Sequence, residues 1–273
     1  MSDYYQIYLI SDSTGETLDR IFLSLKAQFP NFNYKVNQYS FVRTENQVNK
    51  ILTKCKGKEN NIILYTIVDN NIAKFLSDQC VDSKIPCFGV LGNLILSFSK
   101  LLNQEASHKP SGQHVMDDEY YKRIEAIQFT MTHDDGKAIS DLNKSDIILL
   151  GVSRTSKTPT SIYLANRGYK TSNIPLIPKQ NLPENLTKNP KISCVIGLIA
   201  EPSRLSDVRK NRINSLHEDR PSSYTKLEKI ILEVENSKQL FKKYNWPIID
   251  VTRKSVEETA ASVIKIYDIM NAK

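Results

Sequence analysis

The stretch GVSRTSKTP, residues 151–159, contains most of the phosphate-binding loop pattern G-x-x-x-x-G-K-[ST]. Gly151, Lys157 and Thr158 fit the pattern, whereas Ser156 stands where the second glycine belongs. In such a loop, backbone N–H groups surround a phosphate at a helix N-terminus, where unpaired donors and the helix dipole favour an anion. Lys157 would reach the transferring phosphates, and the Thr158 hydroxyl would contact Mg²⁺. The pattern therefore predicts a phosphate site; the alternative is an ordinary strand-to-helix turn with a basic surface.

The stretch HDDG, residues 133–136, places two adjacent carboxylates beside His133 and a turn glycine. Phosphoryl transfer to a hydroxyl uses a carboxylate that accepts the proton, and often a second one that holds the metal. Asp134 or Asp135 can take either role. The alternative is a solvated turn in which an aspartate caps a helix.

A second hydroxyl-rich turn, SDSTGET, occupies residues 11–17 between a predicted strand and a predicted helix. Ser11, Ser13 and Thr14 can bind a phosphate together with the helix N-terminus, and Asp12 can serve as a base or metal ligand. The alternative is plain N-capping, with Ser13 or Thr14 as the capping residue.

Arg204, Arg209 and Arg212 lie on one predicted helix, and Arg209 and Arg212 share a face because they are at i, i+3 spacing. Arginines on a helix can close over a phosphate, although an exposed basic face is the usual reason for such spacing. Asp250 ends a predicted strand, where it can bind a ligand or cap the next turn. The strand ISCVIGLI, residues 192–199, lacks the terminal aspartate that many P-loop proteins use for magnesium, which argues against an ordinary ATPase.

Short apolar runs alternate along the chain with segments of helical spacing, which is typical of a parallel α/β sheet. Strands are predicted at 4–11, 34–42, 61–68, 85–92, 145–151, 173–177, 192–199 and 246–252. Helices are predicted within 12–29, 44–55, 70–83, 117–132, 158–168, 202–216, 224–244 and 255–270. In the last helix, Ser255 and Glu258 have the spacing of a capping box.

The polar stretch SHKPSGQH, residues 107–114, is the best linker candidate because it contains Pro110 and Gly112. We therefore predict an α/β protein with two parallel-sheet lobes. The first comprises residues 1–112, and the second, residues 113–273, is a P-loop kinase-like domain.

The composition narrows the class of protein. The 273 residues carry a net charge of +7 and are 40% hydrophobic, which is ordinary for a globular chain. Basic runs such as VRKNR, residues 208–212, are short, so we predict no nucleic-acid binding. Four scattered cysteines without a C-x-x-C pair fit a reducing cytoplasm. The N-terminal residues lack signal-peptide features, and no apolar run is long enough for a membrane span.

Taken together, these motifs resemble one family: the bifunctional regulatory proteins of pyruvate, phosphate dikinase and of phosphoenolpyruvate synthase. The resemblance spans nearly the whole chain in the family's order. The matching stretches are SDSTGET, DEYYKRIEAIQFTMTHDDG, DIILLGVSRTSKTPTSIYLANRGYKTSNIPLIP, GLIAEPSRLSDVRKNR and WPIIDVTRKSVEETAA. The loop is more similar to the dikinase branch, because the synthase branch usually carries Cys-Gly where this chain has Thr155-Ser156.

The resemblance implies two activities on one threonine of the dikinase. ADP donates its β-phosphoryl group to that threonine, leaving AMP and inactive dikinase; inorganic phosphate later removes the group and releases pyrophosphate. It also implies ADP and Pi as ligands, Mg²⁺ as a cofactor and the dikinase as partner, and it is compatible with a homodimer. The implied ADP-binding loop comprises Gly151, Val152, Ser153, Arg154, Thr155, Ser156, Lys157 and Thr158, and the implied acidic turn comprises His133, Asp134, Asp135 and Gly136.

A single site can serve both reactions, because phosphate takes the place of AMP when the first reaction runs backwards. On this hypothesis, the loop holds the non-transferred phosphate, Lys157 and Arg154 neutralise charge, and Asp134 or Asp135 is the base. Three alternatives stay open: regulation of phosphoenolpyruvate synthase by the same chemistry, a small-molecule P-loop kinase, and a nucleotide-binding scaffold or nucleic-acid-binding protein.

Overall fold

The chain folds into two compact units, residues 1–115 and residues 116–273. The structure, a computed structural model, describes residues 4–55, 60–112, 116–178, 180–188, 194–216 and 224–272. Each unit is built on one four-stranded parallel sheet with flanking helices, which confirms the predicted α/β fold class. The predicted lobe border after residue 112 adjoins residues 113–115, which lie outside the described residues.

Unit 1 has a sheet in the order β2-β1-β3-β4, with every described pairing parallel. Its first strand is central and buried on both faces, as expected for a parallel sheet covered by helices. The strands are β1 (Tyr5–Ser11), β2 (Tyr34–Tyr39), β3 (Asn61–Thr66) and β4 (Cys87–Gly89). The helices are α1 (Glu16–Lys26), α2 (Glu45–Cys55), α3 (Asn70–Asp82) and α4 (Gly92–Leu102).

Unit 2 repeats this strand order as β6-β5-β7-β8, again all parallel. The strands are β5 (Ile147–Gly151), β6 (Thr171–Pro175), β7 (Cys194–Ile199) and β8 (Ile248–Asp250). The helices are α5 (Asp118–Thr132), α6 (Lys157–Ala165), α7 (Glu184–Lys188), α8 (Pro202–Leu216), α9 (Leu227–Lys243) and α10 (Val256–Asn271), with 3₁₀ turns at Asp134–Gly136 and Ile139–Lys144. All five residues of β5 are buried, and apolar side chains cover both faces of the strand.

The order of the strands fixes where ligands can bind. In each unit the second strand along the chain lies on one side of the first strand, and the third strand lies on its other side. The connections after β1 and after the second strand therefore run to opposite sides of the first strand, and the same holds for β5 in unit 2. Open parallel sheets bind ligands in the crevice that this arrangement leaves at the carboxyl ends of the strands. The turns after β1 and β5 are the two hydroxyl-rich motifs found in the sequence.

The predicted elements are present, and the structure adds two helices that were not predicted, α4 and α7. Helix α4 was missed although Asn93, Ser97 and Lys100 lie on one side of it at helical spacing; none of its residues is buried. Helix α1 begins after Gly15, which has a φ of 90° and no capping side chain, so the capping role expected of Ser13 or Thr14 is wrong. The predicted strand over 192–199 is present as β7 (Cys194–Ile199), and residues 192 and 193 of the prediction lie outside the described residues.

The capping box at the start of α10 is confirmed. The Ser255 hydroxyl accepts from the Glu258 backbone N–H, and the Glu258 carboxylate accepts from the Ser255 N–H. Within the described residues, no helix combines the length and the apolar composition needed to cross a bilayer.

Candidate active site

The loop between β5 and α6 has a backbone suited to an anion. Ser156, the residue in place of the second glycine, adopts a left-handed conformation with a φ of 59°, and Arg154 does so with a φ of 73°. This is the conformation that glycine adopts without strain, so the serine keeps the loop's shape at some cost. Among the described residues, no acceptor binds the backbone N–H groups of Ser153, Arg154 or Ser156. These donors are therefore available to a ligand at the start of α6.

The glycine that opens the loop is required by close packing. A Cβ at Gly151 would lie 2.6 Å from the Leu198 carbonyl oxygen and 2.6 Å from the Thr155 Oγ1. Thr155 is itself fully buried, and its hydroxyl donates to the Val152 carbonyl at 2.9 Å. These two residues shape the loop from beneath, while Ser156 is exposed at its tip.

Lys157 is the buried cation of the loop. Its side chain is only 6% exposed, and Nζ donates to the Val152 carbonyl oxygen at 2.9 Å. Burial lowers the pKa of Lys157 to about 8, although the nearby carboxylates of Asp135 and Asp134 partly oppose this effect. A phosphate in the loop would supply the negative charge that this ammonium group lacks.

The acidic turn lies against the loop and is not a free solvated turn. Asp134 Oδ1 accepts hydrogen bonds from the Thr158 hydroxyl, at 3.0 Å, and from the Asn173 side-chain amide. The same amide donates to Thr158 Oγ1 at 2.9 Å. Asp135 follows with a left-handed φ of 56° and an exposed side chain. One carboxylate is thus engaged with the loop, and its neighbour faces solvent close enough to influence Lys157.

The edge of the sheet holds the acidic turn in place. The backbone N–H groups of Thr171 and Asn173, on edge strand β6, donate to the Thr130 hydroxyl and the His133 carbonyl oxygen. The His133 ring stacks on Phe129 at a centroid distance of 3.7 Å, and its Nδ1 lies 2.8 Å from the Phe129 carbonyl oxygen. The end of α5 therefore pairs with the strand edge and carries the carboxylates to the loop.

A buried arginine supports the loop from the other side. Arg209, on α8, is 1% exposed and forms an ion pair with Glu233 on α9 at 2.7 Å. It also donates to the Ser153 carbonyl oxygen at 3.2 Å and to the Tyr224 carbonyl oxygen at 3.1 Å. The exposed basic face expected for this helix is therefore wrong at Arg209, which is in the core.

Tyr224 contacts the same region. Its hydroxyl lies 2.9 Å from the Ser153 hydroxyl, and the Arg209 guanidinium lies over its ring. Burial acts to raise the pKa of Tyr224, but hydrogen bonds from Ser153 and Arg154 and the charges of Arg154 and Arg209 bring it below its ordinary value. The charges of Arg154 and Arg209 thus favour a negative charge at this place.

The oxygen atoms at the loop are of the kind that would suit a magnesium ion. Thr158 supplies a hydroxyl and Asp134 a carboxylate, while the buried Oδ1 of Asn173 has no hydrogen-bond partner among the described residues. Hard oxygen donors of this kind suit Mg²⁺, which is usually bound by one or two carboxylates plus phosphate oxygens. The described residues contain no cluster of three or more His, Cys, Asp or Glu side chains suited to a metal, so the nucleotide would complete the ligand set.

The structure brings most of the predicted site residues together. The loop at 151–158 and the acidic turn at 133–136 meet through the bond between Thr158 and Asp134. Arg204 and Arg212 are exposed on α8. Asp250 accepts from the Thr252 N–H and hydroxyl, so it caps the turn after β8.

Sequence reasoning missed the residues that support the site, Asn173, Tyr224 and Glu233. The one available signal was a polar side chain inside the apolar strand β6, because a buried amide needs partners. Tyr224 and Glu233 carry no such signal, since each lies far along the chain from the loop it contacts.

Comparison with known proteins agrees with this geometry. Residues 7–264 match the family model described as Kinase/pyrophosphorylase. The chain is 66% identical over 269 residues to a protein of Pelagibacter ubique (strain HTCC1062), with 98% of each chain covered. It is 44% identical over 268 residues to a protein of Rhizobium meliloti (strain 1021), covering 97% of this chain and 96% of the other. Both relatives are named "Putative pyruvate, phosphate dikinase regulatory protein".

The chain therefore belongs to the Kinase/pyrophosphorylase family, and the resemblance drawn from the sequence motifs is confirmed. This places the protein among phosphotransferase-type enzymes. The family description says nothing of which residue of the site takes which role, so the predicted roles stay predictions.

Proposed function

We propose that this protein regulates pyruvate, phosphate dikinase by two phosphoryl transfers at the loop of residues 151–158. In the first, a threonine hydroxyl of the dikinase attacks the β-phosphorus of ADP; the bond to the α-phosphate oxygen breaks, AMP leaves, and the hydroxyl proton is released. In the second, hydrogen phosphate attacks the phosphothreonine, so that threonine and pyrophosphate form.

One observation carries the proposal: the Thr158 hydroxyl donates to Asp134, which joins the acidic turn to the phosphate-type loop. A loop alone would explain nucleotide binding. A loop with carboxylates beside it supplies both the anion site and a proton acceptor, which transfer to a hydroxyl requires. The names of the relatives supply the protein substrate.

The contacts support different roles for the two aspartates. We assign Asp135 as the base, because it is exposed and carries no hydrogen bond from a described residue. We assign Asp134 to orientation of Thr158 and to magnesium, since its Oδ1 is occupied by Thr158 and Asn173. His133 has a positioning role, because its ring is buried against Phe129 and its carbonyl anchors β6.

The basic groups of the site neutralise the phosphates. Lys157 and Arg154 serve the transferring group, and the loop N–H groups hold the phosphate that stays behind. Magnesium, when bound, would neutralise charge on the phosphate oxygens. Because the same cradle fits either the α-phosphate of AMP or inorganic phosphate, one site serves both directions.

The function is tested with purified dikinase. The protein is incubated with dikinase under turnover conditions and either ADP or ATP, and threonine phosphorylation is followed by mass spectrometry and by loss of dikinase activity. We expect phosphorylation with ADP, and its reversal with release of pyrophosphate when phosphate is added. No transfer to dikinase, with transfer to phosphoenolpyruvate synthase or to a small metabolite instead, would contradict the proposal.

A loop variant tests whether the two reactions share a site. Lys157→Ala removes the buried cation, and we expect both the ADP reaction and the phosphate reaction to fall about 10²- to 10³-fold. Lys144→Ala is the matched control, because Lys144 is exposed and bound only to Asp141. Loss of the ADP reaction alone would show that the two activities use separate sites.

A further inference from the structure

A cleft of about 540 Å³ lies beside the loop between β5 and α6, entirely within unit 2. One wall is formed by residues that follow β6, among them Leu176 and Ile177, and the other by α9, including Asn236 and Leu240. Val152, a buried residue of the loop, also lines the cleft. Clefts that bind ligands typically measure roughly 300–1,000 Å³, so this one is large enough to hold part of a substrate.

The acidic turn contacts the same strand end that forms the cleft. A Cβ at Gly136 would lie 3.3 Å from Cδ of Pro175, the last residue of β6. Leu176, the next residue along the chain, lines the cleft, and its N–H donates to the Gly151 carbonyl oxygen at 2.9 Å. The carboxyl end of β6 thus touches the acidic turn and continues directly into the wall of the cleft.

The direction of phosphoryl transfer decides which substrate can reach this cleft. The attacking and leaving oxygens lie roughly in line at the transferring phosphorus, so the threonine hydroxyl and the departing AMP are on opposite sides of it. The threonine must lie beside Asp135, the assigned base, and therefore on the side of β6. The residues that flank the threonine then pass over the carboxyl end of β6, whereas AMP points away from it.

The lining of the cleft suits a peptide segment. Ile177 is 54% exposed, and Leu176 and Leu240 are half-buried, so aliphatic surface is available to an apolar side chain. The side-chain amides of Gln180 and Asn236 are exposed and form no hydrogen bond with the part of the chain that the structure describes. A side-chain amide both donates and accepts, so these two can bind the N–H and carbonyl groups of an extended chain.

The charges around the cleft do not favour a phosphate-bearing metabolite. Among its described lining residues, the charged side chains are Glu184, Glu233 and Lys243. Glu233 is ion-paired at 2.7 Å with Arg209, which is itself buried. The described lining residues therefore carry no excess of positive charge, in contrast to the loop beside them, and an uncharged occupant fits best.

We propose that this cleft binds the segment of the protein substrate that flanks the target threonine. The segment lies extended between the chain after β6 and α9, with an uncharged aliphatic side chain against Ile177 and Leu240. Gln180 and Asn236 bind its peptide groups. The inference rests on the proposed function, because the position of the threonine follows from the assignment of Asp135 as the base. Recognition of the protein substrate is thereby separate from recognition of the nucleotide.

Binding can be measured without catalysis through Trp246, the only tryptophan of the chain. Its ring stacks on Tyr244, a lining residue of the cleft, at a centroid distance of 4.7 Å. A synthetic peptide with the dikinase sequence around the target threonine is titrated into the full-length protein without ADP. We expect a saturable change in fluorescence that a scrambled peptide does not cause. Ile177→Asp should weaken peptide binding about tenfold, and Asn236→Ala, which removes a hydrogen-bonding group, about threefold.

Steady-state kinetics with intact dikinase provide the second measurement. Ile177→Asp should raise the KM for dikinase about tenfold and leave kcat and the KM for ADP unchanged, because the lost contact is the same in the ground state and the transition state. Leu232→Asp is the matched control, since Leu232 is 57% exposed on α9, outside the described lining of the cleft. It should retain the wild-type KM for both substrates.

The outcomes separate this inference from the proposed function. Normal transfer to dikinase by Ile177→Asp and Asn236→Ala, with unchanged dikinase KM and peptide affinity, would overturn the cleft proposal and leave the function standing. A rise in the KM for ADP alone would overturn it too, because the nucleoside would then occupy the cleft. If the wild-type protein transfers nothing to dikinase, the proposed function fails. Peptide binding that depends on Ile177 would still support the cleft in that case, and no peptide binding would overturn it as well.

Discussion

The turn after β1 in unit 1 and the turn after β5 in unit 2 occupy the same place in the same order of strands, yet they carry different charged side chains. In both, the central strand ends, a short loop follows, and a helix without a side-chain cap begins after a left-handed residue. That residue is Gly15 in unit 1 and Ser156 in unit 2, with φ values of 90° and 59°. The backbone requirement is shared, and only unit 1 meets it with glycine.

The two turns differ in where their charges come from. In unit 1 a carboxylate, Asp12, lies within the turn itself, and the cations Arg43 and Lys109 are exposed. In unit 2 the cation Lys157 is buried within the turn, and the carboxylates come from a separate segment. A turn with its own buried cation is suited to highly charged phosphates, whereas a turn with its own buried carboxylate is less suited to them. The same position in the fold thus carries opposite charges in the two units.

The largest effect on the transfer rate should come from the carboxylates of the acidic turn, Asp134 and Asp135. Asp135→Asn should lower kcat for both transfers about 10²- to 10⁴-fold, because it removes the proton acceptor. Asp134→Asn should instead raise the Mg²⁺ concentration needed for half-maximal rate. Steady-state kinetics at several magnesium concentrations measure both effects.

Asp141→Asn is the matched control for the aspartates, since Asp141 is partly exposed and bound to Lys144. Full activity of Asp135→Asn together with an inactive Asp134→Asn would exchange the two assigned roles.

The buried support of the unit 2 loop should matter more than the exposed support of the unit 1 turn. Arg209→Met leaves Glu233 without its partner and should lower the free energy of unfolding by about 3–5 kcal/mol. The only tryptophan, Trp246, lies in unit 2, so its fluorescence in a urea titration reports on that unit. Arg43→Met, at an exposed site, should cost less than about 1 kcal/mol by circular dichroism. Equal losses for the two variants would remove this difference between the turns.

The pH dependence should reveal the buried cation of unit 2. Since the pKa of Lys157 is lowered to about 8, the free enzyme loses this charge as pH rises above 8, and kcat/KM should fall about tenfold per pH unit there. Lys157→Arg, which stays charged, should remove this limb of the profile. A wild-type profile that stays flat to pH 10 would show that the ammonium group is not required.

The same shift has a consequence for stability. Because the folded pKa of about 8 lies below the ordinary lysine value of 10.5, the unfolded chain binds more protons between these values. The free energy of unfolding contributed by Lys157 therefore rises with pH across that window.

The smallest effects should come from the left-handed residues. Ser156→Gly relieves a strained backbone, and we expect a gain of at most about 1 kcal/mol after the extra entropy of the unfolded chain is counted. Gly15→Ala introduces the strain and should cost about 1–2 kcal/mol. Thermal unfolding, followed by Trp246 fluorescence for the first variant and by circular dichroism for the second, gives the two signs. A loss of stability in Ser156→Gly would mean that the serine side chain supports the loop.

The sheet pattern was predictable because its strands are local apolar runs. The composition of YQIYLIS, NIILYT and IILLG alone predicts buried strands. The helices between them are predicted by apolar residues at helical spacing. Helix α4 was not predicted, because apolar residues outnumber the polar ones that mark its helical spacing, Asn93, Ser97 and Lys100; none of its residues is buried. The site was found from the loop motif and the acidic turn, but their contact through Thr158 was not visible in the sequence.

The sequence by itself determined the α/β class, the family and the two hydroxyl-rich turns that follow the central strands, because these depend on local composition and spacing. The tertiary structure alone decided that Arg209 is buried beneath the loop, that Asn173 joins Asp134 to Thr158, and that Lys157 has a lowered pKa. These are properties of residues that lie far apart along the chain and meet only when the sheet forms. Their energies depend on burial and on partners, and neither is encoded in any single segment.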